Sequence, residues 1–218
     1  MTETPNSQRL HIGIFGNTNS GKSSFLNAIT GQNHALVSEI AGTTTDLVFK
    51  AMELNRIGPV VFIDTAGFED TSELGQERIK KTFLAIEKTD ISLILFDIED
   101  LFKTKNPKFI TNTSELFKLI ERLKLEKKNF ITIINKTDLV DTEEKQILLQ
   151  EFCNEIKNLS NENPIQISAQ KKEGLDNIKR EIIRKIPEDF LKQSFTKNLC
   201  KENDVVLLVM PQDIQAPK

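Results

Sequence analysis

Cysteine is scarce in this chain, Cys153 and Cys200 being the two present. Their spacing matches no metal-ligand pattern, and two thiols make no disulfide framework of the kind small secreted domains use. Cys153 falls in a helical stretch and reads as a small core residue. Histidine is equally rare. His11 alternates with strand residues and His34 lies in a loop region, and neither has a partner that suggests catalysis. Tryptophan and tyrosine are absent, leaving 14 phenylalanines as the aromatic set, a bias that points to no function of its own. No apolar run approaches the ~20 residues a membrane-spanning helix needs, and the polar segment from Met1 to Gln8 lacks the apolar stretch of a secretory leader. A cytoplasmic protein without membrane contact is the expectation. The formal net charge is −3, from 29 basic and 32 acidic residues, so charge gives no global argument for nucleic acid, which is not expected as a partner. The charged stretches from Lys103 to Lys108 and from Lys171 to Glu173 read as solvated faces. No internal repeat or low-complexity tract stands out. The 218 residues allow one domain with a sizeable core and a short additional piece.

What is present begins with Gly16-Asn17-Thr18-Asn19-Ser20-Gly21-Lys22-Ser23, directly after the apolar run from Leu10 to Phe15 and at the start of an amphipathic segment. This is GxxxxGKS in the strand–loop–helix setting that gives the motif meaning. Gly16 and Gly21 let the loop curl until its backbone N–H groups point at an anion, and the helix starting near Lys22 adds its positive dipole end. Asn17, Asn19, Ser20 and Ser24 complete the phosphate-binding stretch. Lys22 is placed to reach the β- and γ-phosphates, and the Ser23 hydroxyl to ligate Mg²⁺.

A second apolar run, Phe130 to Ile134, ends in Asn135-Lys136-Thr137-Asp138. At the end of a buried strand, NKxD reads guanine: the Asp138 carboxylate accepts charge-assisted bonds from the guanine N1–H and exocyclic amine, which adenine cannot supply. Asn135 is expected to bond the guanine edge and tie this loop to the phosphate loop, with the Lys136 stem over the base plane. Ser168-Ala169, after Pro164 to Ile167, fits a loop whose backbone N–H meets the guanine oxygen. A site with such polar groups rejects the wrong base by roughly 10⁴–10⁵. GTP and GDP are therefore the expected ligands.

Asp64-Thr65-Ala66-Gly67 closes the strand-like run Val60 to Ile63. DxxG in that place puts Asp64 near Mg²⁺ and the Gly67 amide against the γ-phosphate. Gly42-Thr43-Thr44-Thr45-Asp46 lies between the first helix and the next strand, and Thr44 is the residue whose hydroxyl should meet Mg²⁺ when a γ-phosphate is present. Segments so ordered act as switches, here expected at residues 33–46 and 67–80. Signalling GTPases of the Ras type orient the attacking water with a glutamine right after this glycine, whereas here the position is Phe68, which cannot bond water. The first switch supplies no arginine either. Unaided hydrolysis should be slow, with Lys22, Thr44 and Glu73 as candidate catalytic groups; Glu73 and its neighbour Glu77 read equally well as solvated helix charges.

Strand-like runs fall at residues 10–16, 46–54, 58–64, 91–97, 129–135 and 164–168, with helical patterns at about 21–31, 73–89, 113–127, 143–159 and 174–186. This alternation predicts a three-layer α/β fold: a mainly parallel six-stranded sheet with helices on both faces. The short turn at Arg56-Ile57-Gly58 makes the pair it joins antiparallel, giving one antiparallel strand. All the ligand motifs fall at strand carboxyl ends, where open α/β sheets bind. Residues 1–8 read as a disordered tail, 9–187 as the nucleotide-binding domain, and 188–218 as a linker followed by the start of a truncated further domain, whose apolar run is Val205 to Met210.

The five motifs together resemble the Ras-like P-loop fold of the Era/TrmE-like GTPases over about residues 9–187. Lys50 to Leu54, Gly58 to Val61, Ser72 to Gly75 and the tail Pro211 to Lys218 resemble, more narrowly, the FeFe-hydrogenase maturation GTPases, HydF. That resemblance implies a GTP-binding domain in a larger, homo-oligomeric scaffold or carrier protein, with hydrogenase maturation proteins and the hydrogenase apoprotein as partners and a dimerisation domain following. The fragment alone would be monomeric. It also implies an iron–sulfur cluster on a later domain; Cys153 and Cys200 cannot assemble a cluster site in this one. Superfamily members with an asparagine at the position of Asn19 often hold K⁺ there, which makes a potassium-activated GTPase the expectation. Two alternatives stand beside this reading: an RNA-associated GTPase of ribosome assembly or tRNA modification, and a GTP-binding interaction module that does not hydrolyse.

Overall fold

The structure is a computed structural model that describes residues 9–31, 38–39, 48–54, 57–64, 85–108, 110 and 114–187. Expectations at Gly42, Thr43, Thr44, Thr45, Thr65, Ala66, Gly67, Phe68, Glu73 and Glu77, and in segments 1–8 and 188–218, lie outside the described residues.

All six predicted strands form one sheet: β1 (Leu10–Gly16), β3 (Val48–Leu54), β4 (Gly58–Asp64), β5 (Ile91–Asp97), β6 (Asn129–Asn135) and β7 (Ile165–Gln166). A two-residue strand, β2 (Ser38–Glu39), adds a seventh at the edge, in the order β2-β3-β4-β1-β5-β6-β7. The pairs β4–β1–β5–β6–β7 are parallel, and β3 runs antiparallel to both β4 and β2. The β3–β4 turn works as read from the sequence, with Ile57 N donating to Leu54 O at 3.0 Å. Every residue of β5, and all of β6 after Asn129, is buried, as continuous apolar runs in a covered parallel sheet must be.

The helices are α1 (Lys22–Thr30), α2 (Ile98–Thr104), α3 (Glu115–Leu125), α4 (Glu143–Ser160) and α5 (Leu175–Lys185). Side-chain alternation sends Phe15, Ile94, Phe96, Phe130 and Ile134 to one sheet face, where they form a core with Leu101 of α2, Phe117 and Ile120 of α3, and Phe152 and Ile156 of α4. Phe96, Phe117 and Phe152 meet there with ring centroids 5.2–6.4 Å apart. The opposite parity, Ile12, Ile14, Leu93, Leu95, Ile131 and Ile133, is buried on the other face. The buried residues of α1 and α5, such as Phe25, Ile29, Ile178 and Ile182, belong to that second layer. Helices thus cover both faces.

Helix α2 was not foreseen. The segment from Lys103 to Lys108 begins in the last turn of α2, whose Ile98 and Leu101 are buried, and its three lysines are exposed, as a solvated charged face should be. The seven residues of the helix are too few for periodicity to show. Cys153 is half-buried against the core, as expected, and its burial pushes the thiol above the ordinary range. His11 is not isolated: its N–H donates to Asp90 Oδ2 at 2.8 Å, its Nδ1 lies 3.6 Å from the same oxygen, and Asp90 N donates back to His11 O at 2.9 Å. The compact unit holding every described element ends at Ile186. Among the described residues no helix is long and apolar enough to cross a membrane.

Candidate nucleotide site

The central position of β1 puts its carboxyl end, and the loop after it, in the middle of the sheet's top edge. The loop is tightly wound. Ser20 N donates to Asn17 O at 3.2 Å, Asn19 takes a left-handed φ of 64°, and Gly21 caps α1 at φ 85°. A Cβ on Gly16 would come within 2.6 Å of Ser20 Oγ and 2.8 Å of Leu95 O, so β1 can end here against β5 through glycine alone. Helices α2, α3 and α4 start on side-chain caps from Asp97, Ser114 and Thr142, whereas α1 and α5 start on left-handed glycines, Gly21 and Gly174, without one. Lys22 arches back over the loop, donating to Gly16 O at 2.9 Å and Asn17 O at 2.7 Å. Ser23 and Ser24 are exposed in the first helical turn.

An uncapped helix start, a positive charge in the loop and a free hydroxyl one residue on make a donor set that fits an anion with a divalent cation beside it. Ser20 differs from its neighbours: its Oγ is buried with no hydrogen-bond partner, tucked under the loop against Gly16. It can meet a ligand through its backbone and not through its hydroxyl. Asn19 is exposed, and its φ is by itself sufficient reason for an asparagine there. Asp64, described through its backbone, ends β4 opposite Ile14.

The second half of the site hangs on β6 and β7. Asn135, 1% exposed, donates from Nδ2 to Ser20 O at 3.0 Å and accepts Ala169 N on Oδ1 at 3.1 Å. One side chain therefore ties three loops together: the tie to the phosphate loop is the one expected from the sequence, whereas the tie to Ala169 was not foreseen. With both amide ends on backbone groups, the expected bond from Asn135 to the guanine edge has no atom left to make it. Gly21 permits the tie to the phosphate loop, because a Cβ there would lie 2.4 Å from Asn135 Nδ2. Thr137 donates from N and Oγ1 to Ile167 O at 3.1 and 3.0 Å, fixing the NKxD turn to the end of β7. Ser168 bridges to Glu173, closing the loop that presents Ala169. Asp138 sits half-buried on a single 3₁₀ turn, Thr137–Leu139, with no hydrogen-bond partner among the described residues.

Lys136 is also left-handed, at φ 65°. Its ammonium is 2.5 Å from Asp97 Oδ2 and 3.1 Å from Glu99 Oε2. Burial works against the Lys136 charge, yet the bonds from Asp97 and Glu99 prevail and raise its pKa. For Asp97 burial wins, lifting the carboxyl above its ordinary range despite Lys136. Asp97 was missed in the sequence; its signal was an aspartate closing an apolar strand, two residues before a glutamate.

Residues 11–136 match the family described as 50S ribosome-binding GTPase. The chain is 32% identical over 174 residues to GTPase Der of Kosmotoga olearia, covering 78% of this chain and 37% of that protein. It is 34% identical over 175 residues to the tRNA modification GTPase MnmE of Flavobacterium johnsoniae, covering 79% and 34%. It thus spans about a third of the length of these curated relatives. Among solved structures, Era in complex with MgGDPNP and a segment of 16S ribosomal RNA superposes with a TM-score of 0.59 at 25% identity, covering 81% of this chain and 56% of that one. With the family match running over residues 11–136 and relatives above 30% identity, this chain belongs to the 50S ribosome-binding GTPase family, with a GTP-binding domain of the Era, Der and MnmE type.

Proposed function

We propose that this domain binds GTP with Mg²⁺, hydrolyses it slowly and uses the difference between GTP and GDP as a conformational switch within a larger protein. The observation that carries the reading is Asn135, which joins the phosphate loop at Ser20 to the base loop at Ala169. Phosphate and guanine are recognised by one connected structure. Lys22, Gly67 and the loop from Gly16 to Ser24 take the phosphates, while Asp138, Lys136 and the Ala169 N–H take the base. Mg²⁺ would be held by Ser23, Thr44 and Asp64, and supplies charge neutralisation at the phosphates. Attack of water on the γ-phosphorus must release the bond to the bridging oxygen. Phe68 offers that water no hydrogen bond, so turnover is slow, and a K⁺ at Asn19 would supply positive charge beside the phosphates. Titration with labelled GTP and ATP in Mg²⁺ tests the reading; GTP should bind at least a thousandfold tighter, and equal affinities would overturn it.

The protein served by the switch is named differently by two observations. The Der and MnmE relatives, and an Era structure that holds 16S ribosomal RNA, favour an RNA-associated protein of ribosome assembly or tRNA modification. The near-neutral charge of this domain does not weigh against RNA bound by another part of the protein. The short strings at residues 50–54, 72–75 and 211–218 favour hydrogenase maturation, but the relatives named lend that reading no support. Purification of the intact protein separates the two: co-purifying RNA supports the first, an iron–sulfur chromophore the second.

A further inference from the structure

We propose that Asp97 is a positioning residue of guanine recognition, holding the Lys136 ammonium so that the lysine stem forms a fixed platform for the base and the turn presenting Asp138 stays wound. The inference deepens the nucleotide reading above and rests on it. Asp97 ends β5 directly opposite Asn135 on β6, so the register places it one residue from the NKxD lysine. Its side chain is 4% exposed and both oxygens are used: Oδ1 accepts Glu99 N at 2.9 Å, capping α2, and Oδ2 accepts the Lys136 ammonium at 2.5 Å. Glu99 adds a weaker, 44% exposed contact to the same ammonium at 3.1 Å.

Capping alone does not explain a carboxylate in this place. Asparagine caps a helix as well as aspartate does, and it would carry no charge into a site where burial penalises charge. What aspartate adds is the hold on Lys136. Lys136 is a non-glycine residue at φ 65°, a conformation that needs support from its surroundings. Thr137 pins the far side of the turn to Ile167 O; the Asp97–Lys136 pair pins the near side. With the ammonium held by Asp97 and Glu99, the course of the four methylenes is restricted, which is the condition for a base to lie flat against them.

The test uses Asp97→Asn, which keeps a capping oxygen and loses the charge, with Lys136→Met, which keeps an apolar stem and loses the ammonium. On nucleotide-free protein, acylation of Lys136 by an N-hydroxysuccinimide ester, followed by mass spectrometry, should speed up severalfold in Asp97→Asn. This readout does not depend on GTP. The same variant should raise KM for GTP about tenfold and leave kcat within about twofold, an effect of the size expected for a hydrogen bond to a charged group. In the Lys136→Met background, Asp97→Asn should weaken GTP binding no further and should raise the urea midpoint, because it removes a buried carboxylate left without its partner. A loss of GTP affinity equal in both backgrounds, or unchanged Lys136 acylation, would overturn the proposal. Wild-type protein that bound no GTP would instead overturn the nucleotide reading, whatever the acylation showed.

Discussion

Gly21 and Asn135 should be energetically inseparable, and a double-mutant cycle measures by how much. Alanine at position 21 must take the left-handed φ of 85°, which costs about 1–2 kcal/mol for a residue with a Cβ. Its Cβ would also stand 2.4 Å from Asn135 Nδ2, with Asn135 Cγ at 3.7 Å as the one other neighbour within 4 Å. Asn135 cannot move aside freely, since both ends of its amide are hydrogen-bonded and the side chain is buried. Displacing it strands at least one buried polar group, at about 1–3 kcal/mol. Gly21→Ala should therefore cost about 2–5 kcal/mol in the wild-type background. Asn135→Ala removes the obstacle together with the bonds, so Gly21→Ala added to it should cost only the backbone share of about 1–2 kcal/mol. The difference, a coupling of about 1–3 kcal/mol, is read from urea unfolding of the four nucleotide-free proteins followed by circular dichroism. If the two substitutions add to within about 0.5 kcal/mol, the contact does not govern the phosphate loop and the reasoning fails.

Lys22→Ala should lower GTP affinity by more than about a hundredfold while costing about 1 kcal/mol of stability, because its bonds to Gly16 O and Asn17 O are replaceable by water; calorimetric titration and urea unfolding give the two numbers, and unchanged affinity would refute the site. Turnover of the protein in KCl should exceed that in NaCl at equal ionic strength, and Asn19→Ala should abolish the difference; equal rates would remove the potassium reading. Asp90 is held below the ordinary carboxylate range: burial opposes this, but the His11 bonds and the charges of His11 and Lys128 outweigh it. A depressed folded pKa contributes stability that is complete above the unfolded value of about 4 and is lost as pH falls through the folded value. Asp90→Asn should thus be less stable than wild type at pH 6, with the gap narrowing below about pH 4 in acid-dependent melts; a constant gap would show that the charge is immaterial.

Six of the seven strands and four of the described helices were legible because each is a run rich in apolar residues or a clear helical period bounded by glycine, proline or a capping residue. The motif residues were legible for a related reason: Gly16, Gly21, Lys22 and Asp138 are local in sequence and each type answers to a particular ligand atom. What escaped was non-local. Asp97 lies 39 positions from Lys136, and only the β5–β6 register brings them together. Asp90 lies 79 positions from His11 and reaches it the same way. The strand β2 has two residues and no periodicity to show. The buried hydroxyl of Ser20 was equally invisible, since nothing in GxxxxGKS says which way that side chain turns.

The pairing of β1 bears on how the chain comes to be folded at all. Its neighbours are β4 and β5, whose contacts reach from Ile12 to Phe62 and Ile91. During synthesis at about 5–20 residues per second, β1 leaves the ribosome some seconds, about 4–16, before its partner at residue 91 does. Until β4 emerges, β1 has no strand to pair with, and its second partner, β5, comes after that. Asn135 and Ala169 come later still, so the loop that grips phosphate is assembled only after most of the domain has emerged. Such a chain should depend on chaperones that shield the nascent N-terminal strand, and slowed translation across residues 17–90 should lower the soluble yield more than the same delay after residue 170.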